Sequence, residues 1–173
     1  MMHIATHDIP QADLIWDVAR VPEALARNIT TCDGIAAFLG GKVPRQGHYY
    51  AQAAQTLNLI KHDSNGELTL TTYGRAFLGY DLLSKRRALR RLVSEREPTR
   101  TIVAELRTKK VLSNADIAQL LQQLAPLSES TARRRATTIA KWLCTLGIAK
   151  KEHGALVYCS PILMFGAEPR QVA

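Results

Sequence analysis

Apolar residues in this chain recur mainly at helical spacing. The clearest stripe is Ala132, Ala136, Ile139, Leu143 and Leu146, with steps of four, three, four and three. It marks one face of a helix that Ser128 can cap. The other faces carry Ser130, Thr131, Arg133, Arg134, Arg135, Thr137, Thr138 and Lys141. One side suits a core, and the rest offers cations and hydroxyls. Tyr50, Ala53, Ala54 and Leu57 form a second stripe, in a helix over 45–57. Arg45, Gln46, His48, Tyr49 and Gln52 point outward near its start. A short helix within Thr31–Gly41 precedes it, capped by Thr31 and stopped by the Gly40-Gly41 pair. Ser113 and Asp116 make a capping-box start for a helix holding Ile117, Leu120, Leu121 and Leu124, which Pro126 ends.

Two short segments alternate instead. Leu59–His62 and Glu67–Thr71 flank an Asn65-Gly66 turn, a strong hairpin signal. Ala149–Glu152 and Ala155–Cys159 flank His153-Gly154 in the same way. Between these regions, Tyr73 to about Val93 has the pattern of one longer helix, with a kink at Gly79. Lys85, Arg86, Arg87, Arg90 and Arg91 occupy its polar side. Glu97-Pro98 breaks the chain, and Thr99–Lys109 is again helical. At the front, residues 1–9 form a loose lead-in. Pro10 then opens a helix that Val21-Pro22 interrupts. The tail from Phe165 is short and frayed. The expected class is mainly α with small β-hairpin wings (α+β).

Sliding the second half back by 89 residues superimposes the two patterns. Arg134 falls on Arg45, Thr137 on His48, Ile139 on Tyr50 and Leu146 on Leu57. Each main helix follows a shorter one and precedes a hairpin. This is a repeat of pattern rather than identity. It divides the chain into a helical lead-in (1–27), a first unit (28–75), a basic connecting helix (76–97), a second unit (98–165) and a tail (166–173).

Charge sharpens the picture. The formal net charge is +8. Residues 1–40 carry −3 and the remainder +11, with ten Lys or Arg between positions 85 and 110. Such a balance favours nucleic acid or another polyanion as partner. Aromatic content of 6% is low for a platform that stacks single-stranded bases. Cys32, Cys144 and Cys159 show no Cys-x-x-Cys spacing, so neither a zinc knuckle nor a disulfide framework is expected. His3 and His7 lie four apart without acidic or thiol neighbours suited to a metal. No signal segment and no membrane-length apolar run is seen, so a cytoplasmic protein with no membrane role is expected. The Asp…Glu-x-Lys pattern of restriction-type nucleases, a phosphate loop and a nucleophile elbow are all lacking. No enzymatic activity and no cofactor or metal are therefore expected.

The run Arg45-Gln46-Gly47-His48-Tyr49-Tyr50, with Ala53-Ala54, Leu57 and the Asn65-Gly66 hairpin, resembles a winged-helix segment. Ser128-Glu129-Ser130-Thr131-Ala132 with Arg134-Arg135-Ala136, Thr138-Ile139 and Trp142-Leu143 resembles its companion. Together, over roughly residues 28–160, they are similar to tandem winged-helix modules of bacterial and archaeal restriction and defence-associated proteins. The resemblance implies two winged helix-turn-helix units in tandem that bind double-stranded DNA. It does not imply cutting, since the chain has no room for a nuclease domain, and a nuclease or other protein subunit is an optional partner. A transcriptional regulator and a protein–protein interaction module use the same fold, and a homodimer through the Trp16 helix or the Leu82–Leu92 helix is a further option. The expected DNA contacts are Arg45, Gln46, His48 and Tyr49 in the first unit. In the second they are Ser130, Thr131, Arg133, Arg134 and Thr137, with Lys141 and Arg135 on the backbone. Lys61, Lys150 and Lys151 would reach phosphates from the hairpins, and Lys85–Arg91 would run along the backbone between units.

Overall fold

The computed structural model describes residues 4–160. It is mainly helical, with two small antiparallel sheets. A single 3-10 turn, Thr6–Asp8, comes first, then α1 (Ile15–Ala26), α2 (Cys32–Phe38) and α3 (Pro44–Thr56). The hairpin β1 (Ile60–His62) and β2 (Leu68–Leu70) follows, then α4 (Thr72–Leu78), α5 (Leu82–Glu95) and α6 (Thr99–Lys109). The last third is β3 (Val111–Leu112), α7 (Asn114–Leu124), α8 (Glu129–Thr145), β4 (Ala149–Glu152) and β5 (Ala155–Tyr158).

Local chemistry sets most boundaries. Thr31 and Thr71 cap α2 and α4 by accepting the N–H groups of Gly34 and Gly74. Ser113 and Asp116 close a reciprocal capping box on α7. Ser128 caps α8. His153 and Gly154 both have positive φ, 48° and 83°, the conformation a two-residue hairpin turn requires. In the other hairpin, the Asp63 carboxylate accepts N–H groups of Asn65 and Glu67 and holds a longer loop.

Three expectations are corrected. The helix over Tyr73–Val93 is two helices, because Asp81 accepts the Ser84 N–H and starts α5 afresh after Gly79. The basic connecting helix thus begins at Leu82, not at residue 76. Pro22 does not interrupt α1. It is buried inside a continuous helix, and the helix begins at Ile15 rather than Pro10. Residues 4–9 are no loose lead-in. Ile9 is fully buried, and the Ile4 N–H donates to the Leu124 carbonyl at the end of α7. The third strand, β3, was not expected. It is only two residues long and pairs with β5, giving the order β3-β5-β4. Residues 161–173, which include the expected tail, and His3 lie outside the described residues.

One hydrophobic cluster runs through both halves, from Ile9 to Leu156. The sequence stripes supply much of it. Ala132, Ala136, Ile139, Leu143 and Leu146 are buried, as are Tyr50, Ala53, Ala54 and Leu57. Helix α2 packs tightly on α3. A Cβ on Gly47 would stand 1.9 Å from the Cys32 carbonyl oxygen. The 89-residue offset lines up the first strands, since β1 starts at Ile60 and β4 at Ala149. Each half thus contains a helix, a second helix and a hairpin.

Candidate nucleic-acid interface

The N-terminal segment lies in the seam between α3 and α8. Arg135 of α8 donates through Nη1 to the carbonyls of Thr6 and Ile9. Trp142 donates its indole N–H to the Ala12 carbonyl at 2.8 Å. Asp13 joins both helices, accepting from the Tyr50 hydroxyl at 3.0 Å and from Lys141 at 3.1 Å. Burial pushes the Asp13 carboxyl up, but the hydrogen bonds from Lys141 and Tyr50 outweigh it and hold the group below its usual range. The Tyr50 phenol is driven the other way, first by burial and then by the Asp13 charge.

This corrects the expected role of Arg135. It is a buried residue that ties the protein's own backbone, and not an outward cation. Burial and the neighbouring Arg134 charge lower its pKa. Arg135, Thr138 and Trp142 form a second stripe on α8, at steps of three and four, that packs away from solvent.

Where the segment leaves the seam, α3 and α8 border a cleft of about 380 Å³. Gln46 and Tyr49 line it from α3, and Arg134, Thr137 and Lys141 from α8. The structure therefore brings five of the expected contact residues to one place. Arg134 is exposed and has neither an ion pair nor a hydrogen bond among the described residues. Gln46 is partly committed, because its Oε1 accepts the Val43 N–H at 3.3 Å and caps α3. Thr137 is fixed from α7 by Asn114, whose Nδ2 donates to its hydroxyl at 3.3 Å. Lys141 and Thr137 also border a second hollow that Lys151 of β4 lines as well. The surface is thus continuous from α3 across α8 to the second hairpin.

The remaining candidates lie outside the cleft. Arg45 and His48 are exposed on α3, and the Arg45 guanidinium sits 5.4 Å over the Tyr49 ring. Ser130 and Thr131 belong to the first turn of α8, where Ser128 Oγ bonds both hydroxyls. Arg133 is exposed and paired with Glu129 at 2.7 Å. Lys61 is exposed on β1, and Lys150 pairs with Glu152 on β4. On α5, Lys85 pairs with Glu23, and Arg90 donates to the Leu146 and Gly147 carbonyls beyond α8. Lys85 and Arg90 are thus engaged with the fold, while Arg86, Arg87 and Arg91 stay exposed. Gln11 and Asp13 line the cleft but were not anticipated. Asp13 is placed by Tyr50 and Lys141, 37 and 128 positions away, and no local pattern encodes that.

Among the described residues no helix is long and apolar enough to cross a membrane, and no three His, Cys, Asp or Glu residues converge as a metal set would. No curated protein and no solved structure matches the chain. Residues 21–146 match the family described as Domain of unknown function (DUF7226), and the chain belongs to that family.

Proposed function

We propose that this DUF7226 member is a double-stranded DNA-binding protein built from two winged-helix units, acting as the recognition component of a restriction or defence system and carrying no catalytic activity of its own. The convergence of α3 and α8 on one cleft, which Arg134 lines with no partner among the described residues, carries the reading. The order α6, β3, α7, α8, β4, β5, with β3 beside β5, supports a winged helix in the second half. The first half, α1 to β2, has the same helices and hairpin without the extra strand.

The shared cleft constrains how a duplex is met. Helices reading successive major grooves stand about 34 Å apart. Helices that border one cleft of about 380 Å³ are much closer than that. They therefore address one stretch of duplex together. In this reading α8 enters a major groove ~12 Å wide and presents Arg134 and Thr137 to base edges. Gln46, Tyr49 and Arg45 of α3 meet the flanking strand. Lys151 and Lys61 reach phosphates from the hairpins, and Lys141 does so once released from Asp13.

Mobility shifts with duplex DNA, single-stranded DNA and double-stranded RNA, each at two salt concentrations, test this. Duplex DNA should bind best. With about six phosphates neutralised, log affinity should fall against log salt with a slope near −5. A flat salt response, or a preference for either other nucleic acid, would refute the reading. A second reading, as a protein-interaction module, draws on Leu82 and Leu83 at the start of α5, which are 72% and 55% exposed. It predicts that no nucleic acid is shifted at all.

A further inference from the structure

A second cleft, of about 620 Å³, lies between α5, α6 and the last hairpin. It shares no lining residue with the α3–α8 cleft. Five guanidinium groups border it: Arg86, Arg87, Arg90 and Arg91 of α5 and Arg107 of α6. Glu95 is the one carboxylate among its lining residues.

What holds these arginines in place is neutral. Arg90 and Arg86 donate to main-chain carbonyls at the end of α8, with Arg86 reaching Thr145 at 3.4 Å. Arg91 donates to the Tyr73 hydroxyl at 3.2 Å. Arg107 lies 5.9 Å over the Tyr158 ring. None of the five joins an ion pair among the described residues, and Arg87 makes no hydrogen bond among them. Their charges are oriented, and among the described residues no carboxylate holds any of them at ion-pair distance. Five like charges around one concavity repel one another unless an anion sits between them. Planar guanidinium forks match phosphate oxygens two at a time.

The rest of the lining has the opposite character. Leu83, Ile148 and Tyr158 give the cleft an apolar wall. Leu83 is 55% exposed and so is open to a ligand in this hollow. A phosphodiester strand laid over the arginines would leave that wall uncovered. A small molecule with a phosphate chain at one end and a flat ring at the other would cover both. The volume falls within the roughly 300–1,000 Å³ of ordinary small-ligand sites.

We infer that this cleft binds a nucleoside polyphosphate, with the phosphates among Arg86, Arg87, Arg90 and Arg91 and the base against Leu83 and Tyr158. The inference is independent of the duplex reading, since the two clefts have no residue in common.

Isothermal titration calorimetry of the full chain with ATP, GTP, inorganic triphosphate and adenosine tests it. At least one nucleoside triphosphate should bind saturably, adenosine should give no heat, and inorganic triphosphate should bind more weakly than the nucleotide. Arg87→Glu should weaken binding by about tenfold or more, with little change in the thermal melt, because Arg87 is exposed and makes no hydrogen bond or ion pair among the described residues. An excess of duplex oligonucleotide should leave nucleotide binding in place. No saturation into the millimolar range, or equal binding by the Arg87→Glu protein, would overturn the site. Triphosphate binding as tightly as the nucleotide would overturn the role of the apolar wall. Displacement by the duplex would make the cleft a nucleic-acid surface instead.

Discussion

The indole nitrogen of Trp142 on α8 lies 2.8 Å from the carbonyl oxygen of Ala12, 130 positions earlier in the chain. Both residues are 1% exposed. With Arg135 bonded to Thr6 and Ile9, this contact fixes residues 4–13 in the seam and so sets how α3 and α8 stand to each other. Replacing Trp142 by Phe keeps most of the ring but leaves the Ala12 carbonyl without its donor. Stability should fall by about 1–3 kcal/mol, the cost of an unsatisfied buried acceptor. Urea unfolding followed by circular dichroism measures it, and an unchanged midpoint would show that this bond contributes nothing.

Gly47 tests the α2–α3 contact. Its φ is ordinary for a helix, so Ala would gain helix propensity by up to ~1 kcal/mol in an open position. Here a methyl group would meet the Cys32 carbonyl at 1.9 Å. Gly47→Ala should therefore destabilise the protein by about 1–3 kcal/mol, through forced separation of the two helices. A rise in melting temperature would mean that α2 yields freely.

Asp13 gives the seam a pH dependence. Its folded pKa is below the unfolded value of about 3.9. The bonds to Tyr50 and Lys141 thus add stability above pH ~4, and that stability is lost as pH falls through the lower folded value. The Asp13 and Lys141 side chains are 45% and 52% exposed, so solvent screens the pair and its contribution stays below ~1 kcal/mol. Stability of the wild type and Asp13→Asn proteins should differ at neutral pH and converge as pH falls through the lowered folded value of Asp13. A constant difference across this range would assign the effect to packing.

Arg134 separates recognition from stability. Because it has no partner among the described residues, Arg134→Ala should leave the melt unchanged. If it reads guanine, preferred duplexes should lose about 1–3 kcal/mol of binding while random duplexes lose less. Equal loss for both would make Arg134 a phosphate contact.

Asp13→Asn should also strengthen duplex binding, since it removes a negative charge from the cleft and frees Lys141. The salt slope should steepen by about one unit if Lys141 then engages a phosphate. Weaker binding would show that Asp13 is needed to place the cleft.

Much of this architecture was legible because its causes are local. The Asn65-Gly66 turn, the caps at Thr31, Ser113 and Ser128, and the Ala132–Leu146 stripe each act within a few residues. The α5 start was misplaced because Asp81 competes with helix continuation through a single cap, while the apolar spacing on either side stays helical. Strand β3 escaped notice because two residues show no alternation, and only pairing with β5 defines them. Arg135 was misjudged for a different reason. A cation that ends a run of three arginines looks solvated until a distant segment supplies the carbonyls that receive it. The cleft itself was half legible: the α3 and α8 residues were, and Gln11 and Asp13 were not.

The seam also orders events during synthesis. Residues 4–13 leave the ribosome long before α8, yet the carbonyls of Thr6, Ile9 and Ala12 find their donors only on that helix. Closing so long a loop carries an entropic cost that local contacts do not offset in advance. Until α8 emerges, Ile9 and Ala12 have only the α3 side of their berth, so a nascent chain halted before residue 129 exposes an apolar strip that chaperones or proteases can engage.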